Sequence, residues 1–197
     1  SYGMYDVSAA INDIELVKVE LNEEFDIDYQ SVSELITDPK LKLIIICAPN
    51  NPTGNSPDQA VVERIVKNFK GVVLIDEAYG NFSNKKSFTT RIKRFPNLVV
   101  SQTMSKAWGL AAARIGFAFA NEKIISLLNK VKPPYNISGL NQSAAIECIR
   151  SSKTFLQNKA RILENKKQLF AELKKIKIVR KVFESDTNFF LVEIENA

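Results

Sequence analysis

Three short apolar runs constrain this chain more than anything else in it. "KLIIIC" (42–47), "GVVLIDEAY" (71–79) and "NLVVSQT" (97–103) are rich in β-branched residues and apolar at consecutive positions. A strand with one wet face alternates apolar and polar residues. Continuous runs belong to a parallel sheet covered by helices on both sides. Segments of helical period lie between them, one near "YQSVSELIT" and another at "DQAVVERIVKNF" after the turn "APNNPTGNSP". The expected fold is α/β: a three-layer α/β/α architecture around a mostly parallel sheet. "IELVKVEL" (14–21) and "RIGFAFA" (114–120) read as further strands, and "NEKIISLLNKV" (121–131) as a helix capped by Asn121.

From about residue 139 the pattern changes to long helices followed by two closing strands, "KIVRKVF" and "NFFLVEI". Residues 1–158 are expected to form a large domain and 159–197 the start of a small α+β C-terminal domain. "SYGMY" reads as the middle of a loop, and the whole as an excerpt of a longer protein.

Composition narrows the function classes. The 197 residues are 45% hydrophobic and 25% charged, as in ordinary globular proteins. No run approaches the roughly 20 apolar residues that span a bilayer, and no signal segment is recognisable, so a cytoplasmic protein without a membrane partner is expected. The formal charge of +5 comes mostly from "NKARILENKKQLFAELKKIKIVRK", whose glutamates and helical spacing fit a solvated amphipathic helix better than a nucleic-acid surface. With no histidine in the chain, His-based catalysis and His-ligated metal sites are excluded within it, and no metal is expected. Cys47 lies inside an apolar run, far in sequence from Cys148, and reads as a small buried hydrophobe.

Each apolar run leads into polar residues: Asn50-Asn51-Pro52-Thr53-Gly54, Asp76-Glu77-Ala78-Tyr79 and Thr103-Met104-Ser105-Lys106. If the strands are parallel, all three groups emerge at the carboxyl edge of the sheet, where open α/β sheets bind ligands. Alone, the first could be only a turn, the second a cap and the third an ordinary Ser-Lys pair. Lys106 stands next to "AWGLAAA", and a lysine is rarely enclosed unless it is paired or chemically used.

"NNPTGN", "DEAYGNF" and "SKAWGLAAARIG", in that order, resemble the motifs of the class I/II aminotransferases, fold-type I pyridoxal-phosphate enzymes. "YGMYDVSA" and "VKPPYNIS" (131–138) bring the likeness nearest to the histidinol-phosphate branch of that family. The resemblance implies pyridoxal 5'-phosphate as cofactor. It makes Lys106 the amine that bonds the cofactor aldehyde and then the general base, kept neutral by confinement near Arg114. Asp76 would pair with the pyridine nitrogen, and Asn51 and Tyr79 with the ring oxygen. Tyr2 would stack on the ring, and Thr103, Ser105 and Arg114 would serve the phosphate. The remaining phosphate donors would lie upstream of Ser1 and the substrate-clamping arginine downstream of Ala197.

The implied partners are an amino donor, histidinol phosphate or glutamate, and a 2-oxo acid. A homodimer is also implied, with "KPPYN" at its interface, although those residues alone could equally be a rigid turn. Aminotransferases of aromatic amino acids, threonine-phosphate decarboxylases and the sensor domains of aminotransferase-like transcription regulators would share the same residues. One departure stands out. Relatives usually carry glycine where this chain has Ala112, and an alanine forced to positive φ there would cost about 1 kcal/mol.

Overall fold

The structure is a computed structural model and describes residues 2–196. Four strands, β1 (Leu43–Cys47), β2 (Val72–Asp76), β3 (Leu98–Thr103) and β4 (Gly116–Phe119), form one sheet in that spatial order. β1, β2 and β3 are parallel, and β4 runs antiparallel to β3. The mostly parallel reading holds, and β4 reverses for a local reason. The connection 104–115 contains only a 3-10 turn at Ala111–Ala113, with no helix to carry the chain back across the sheet.

Among the described residues six α-helices accompany the strands: α1 (Met4–Ile11), α2 (Tyr29–Ser33), α3 (Gln59–Asn68), α4 (Glu122–Val131), α5 (Gly139–Arg150) and α6 (Ser152–Leu173). Their starts follow from short polar side chains. Asp28 accepts from the backbone N–H groups of Gln30 and Ser31, and Asp58 from those of Ala60 and Val61. Asn121 accepts from Ile124 N at 3.0 Å, as its position in the sequence led us to expect. The closing strands β5 (Val179–Val182) and β6 (Val192–Ile194) pair antiparallel as a separate two-stranded sheet. The expected division at 158/159 falls inside α6, which is continuous from Ser152 to Leu173.

The parallel register sorts the strand residues onto two faces. Ile46, Val73, Ile75, Leu98 and Val100 line one face and are buried under Val32, Val62, Ile65 and Val66 from α2 and α3. Burying each such side chain contributes about 2 kcal/mol. A second cluster joins Met104, Ala113 and Ile115 of the β3–β4 connection to Ala145 of α5. The opposite face of the sheet is half-buried, and it carries Cys47, Asp76 and Ser101 side by side in register at the carboxyl ends of β1, β2 and β3.

Two expectations are corrected. Residues 14–21 alternate like a strand but form none, and 14–20 are exposed. A strand exists only by pairing, and these residues find no ladder partner. The segment read as the middle of a loop includes the start of α1 at Met4. Among the described residues, no helix is long and apolar enough to cross a membrane.

Candidate active site

The three parallel strands deliver their polar ends to one edge. Asp76 is the last residue of β2. Its Oδ1 accepts from the Ala78 backbone N–H at 2.9 Å and from the Ser101 hydroxyl at 3.4 Å, while its Oδ2 accepts from the Tyr5 hydroxyl. Asn51, in the turn after β1, donates through Nδ2 to the Tyr79 hydroxyl at 3.2 Å. That turn is held by Gly54, whose N–H reaches Asn50 O at 2.8 Å and whose φ of +81° suits glycine. Phe189 braces the Tyr79 ring edge-on at a centroid distance of 5.1 Å.

Lys106 follows β3 and places its Nζ 5.2 Å from the centre of the Tyr79 ring. Its neighbours Met104 and Ala107 are buried, as the sequence suggested, but Lys106 itself is exposed rather than confined. The apolar residues around it anchor the loop and leave the amine free. A cavity of about 500 Å³ opens beside it, between the 106–109 turn and α6, lined by Trp108, Phe155 and Arg161 among others.

The remaining expected residues are less directly gathered. Tyr2 stays 55% exposed and meets Tyr5 edge-on at 5.8 Å. The Thr103 hydroxyl is used within its own loop, donating to Ile115 O at 3.2 Å and accepting from Ser105 N at 3.0 Å. Arg114 adopts a left-handed conformation at φ 54°, and its guanidinium donates to Ala111 O at 2.9 Å. The strained position in this turn is therefore Arg114. Ala112 sits in the 3-10 turn without positive φ, so the expected penalty for alanine there does not arise.

Two residues went unrecognised in the sequence. Tyr5 reaches Asp76 across 71 positions, and Cys47, taken for an apolar filler, lies in register beside Asp76. The Cys47 thiol donates to the Tyr5 hydroxyl at 3.8 Å. Burial and then the Asp76 charge push the Cys47 thiol above its ordinary value, and burial followed by the bond to Asp76 pushes the Tyr5 phenol far up. The only signal for Tyr5 was a second aromatic three positions after Tyr2 in "YGMY"; for Cys47 it was its place at the end of an apolar strand.

Glu77, next to Asp76, is 4% exposed and fully engaged. It accepts from the Ser87 hydroxyl at 2.6 Å, the Phe88 N–H at 2.7 Å and Gln102 Nε2 at 2.9 Å, fastening the 80–91 segment to β3.

Known proteins resemble this chain along its whole length. Histidinol-phosphate aminotransferase of Cytophaga hutchinsonii is 44% identical over 98% of this chain and 55% of its own length. That of Parabacteroides distasonis is 45% identical over 100% and 57%. The chain thus spans a little over half the length of these curated relatives. The solved histidinol-phosphate aminotransferase of Clostridium acetobutylicum superposes with a TM-score of 0.90 at 27% identity, covering all of this chain and 60% of that one. The Sinorhizobium meliloti histidinol-phosphate aminotransferase, solved in complex with pyridoxal-5'-phosphate, shares the fold with a TM-score of 0.86 at 20% identity over 99% of this chain and 53% of its own. The sequence pattern of aminotransferase class I and II matches residues 1–197 from end to end, and the chain belongs to that family.

Proposed function

We propose that this chain is the cofactor-binding part of a pyridoxal-phosphate-dependent transaminase that exchanges an amino group between histidinol phosphate and 2-oxoglutarate in the cytoplasm. The observation that carries the reading is the convergence of Asp76, the Asn51–Tyr79 pair and Lys106 at one sheet edge. The names of the relatives, at 44–45% identity, support the substrate. Residues 1–158 would supply the cofactor site and 159–197 the first part of a small domain.

The donor set fits the cofactor. Asp76, already ringed by three donors on the half-buried sheet face, would hold the ring nitrogen. Asn51 and Tyr79 would hold the ring oxygen. The exposed Lys106 amine would take the aldehyde, with the Ser105 and Thr103 hydroxyls and Arg114 beside the phosphate. Tyr2 would cover the ring face. When bound, the cofactor supplies an electron sink for the pair left on the substrate α-carbon. Lys106 Nζ would take the proton from that carbon and deliver it to the carbon of the cofactor's aldehyde; in the second half-reaction the same amine would carry it the other way for the 2-oxo acid. Asp76 keeps a negative charge against the ring nitrogen, where a neutral amide would not. Tyr135, 94% exposed in the 132–136 segment, supports the reading that a second copy of the protein packs against that segment.

The test is turnover by the purified full-length enzyme. Glutamate formed from histidinol phosphate and 2-oxoglutarate, and lost in Lys106→Ala, is the expected result. Turnover of aromatic amino acids without histidinol phosphate would overturn the substrate.

A further inference from the structure

We propose that Tyr5 is a positioning residue for Asp76, setting the orientation in which the carboxylate meets the cofactor ring nitrogen. The inference rests on the transaminase reading above and adds a residue to it. A carboxylate at the end of a strand can rotate about its last bond, and two of the donors around Asp76 act on the same oxygen. Ala78 N and Ser101 Oγ both address Oδ1. The side-chain partner of Oδ2 is the Tyr5 hydroxyl, brought from α1 across 71 positions.

The direction of this bond is set by the phenol's own neighbour. A phenol has one proton to give, and its oxygen can also accept. The Cys47 thiol donates to that oxygen at 3.8 Å, so the phenolic proton goes to Asp76 and the three groups form a one-way chain, Cys47 to Tyr5 to Asp76. Burial and the bond to Asp76 both oppose ionisation of the phenol, so the donor persists at any pH at which the enzyme works. Helix α1 buries no residue of its own, so its hold on the sheet at this point runs through Tyr5 rather than through an apolar seam. Tyr2, the ring-covering candidate, leans on Tyr5 edge-on at 5.8 Å. Tyr5 therefore ties the ring face and the ring nitrogen to one helix.

The experiment is a double-mutant cycle in the full-length enzyme with Tyr5→Phe, Asp76→Asn and the pair. It is read by equilibrium dialysis of pyridoxal phosphate and by denaturant unfolding of the cofactor-free forms. Phenylalanine keeps the ring, so the contact with Tyr2 is retained. Tyr5→Phe is expected to weaken cofactor binding about tenfold where Asp76 is present and less than about twofold in the Asp76→Asn background, a coupling typical of groups in contact. Equal losses in both backgrounds, or no loss from Tyr5→Phe, would overturn the role even if unfolding showed the two residues to be coupled, because the bond would then serve only the fold. A wild-type enzyme that fails to retain the cofactor at all would bring down the transaminase reading instead, and the unfolding cycle would still report whether Tyr5 and Asp76 are joined.

Discussion

Asn51 and Tyr79 lie on different loops, one after β1 and one after β2, yet the Asn51 amide donates to the Tyr79 hydroxyl at 3.2 Å. Under the proposed function the contact matters because each partner would orient the other toward the same ring oxygen. Tyr79→Phe leaves the ring against Phe189 and removes only the hydroxyl. Cofactor affinity should fall about fivefold, the worth of one hydrogen bond of about 1 kcal/mol. Asn51→Ala should cost about as much, and the double variant less than the sum. Titration of the cofactor-free enzyme with pyridoxal phosphate measures all three.

Lys106 is exposed, and its amine neighbours the Tyr79 ring, 5.2 Å from its centre. Lys106→Ala should therefore change the unfolding free energy by no more than about 0.5 kcal/mol. Turnover should drop by a factor on the order of 10³ or more, because Lys106 is the residue proposed to move the α-carbon proton. Parallel unfolding and steady-state assays separate the two effects. A large loss of stability would mean that the lysine holds the loop rather than the chemistry.

Much of this arrangement was legible in the amino-acid order. Apolar continuity located β1, β2 and β3, and the residues after them were recognisable because parallel strands send their carboxyl ends to one edge. Caps such as Asp58 and Asn121 mark helix starts chemically, so α3 and α4 were read closely. Residues 14–21 failed because pairing is not a local property; an alternating pattern without a neighbouring edge stays irregular. The reversal of β4 was hidden for a similar reason, since apolar spacing carries no direction. Tyr5 escaped because nothing near residue 5 reports on residue 76.

The raised Cys47 thiol gives a pH test. In a Cys148→Ser background, alkylation of Cys47 should reach half its maximal rate above the ordinary thiol value of about 8.5. Because the folded state holds this proton more tightly than the unfolded one, the stability tied to Cys47 is complete below about pH 8.5 and declines as the pH rises past it. Burial is the larger cause and the Asp76 charge the second, so Asp76→Asn should move the midpoint back toward the ordinary value without reaching it. An unchanged midpoint would show that the Asp76 charge does not act on the thiol.

Glu77 separates structure from chemistry at adjacent positions. Its carboxylate is buried with three donors on it, and Glu77→Ala would strand the Phe88 N–H and the Gln102 amide. The cost should be about 3 kcal/mol in denaturant unfolding. Glu77→Gln keeps the shape but meets the same donors with an amide, and should recover part of that loss. Asp76→Asn, one residue earlier, should leave stability much less changed while weakening the cofactor.

The turn that presents Asn51 is pinned from the far end of the chain. Asp186 donates its backbone N–H to Gly54 O at 2.7 Å, and a Cβ at position 54 would stand 2.7 Å from the Ser185 hydroxyl oxygen. The corner between β1 and the β5–β6 hairpin is thus geared, with Gly54 as the tooth. Any displacement of the hairpin is delivered to Asn51 within three residues, and again to Tyr79 through Phe189. Through Gly54 and Phe189 the same hairpin braces both residues proposed to hold the ring oxygen.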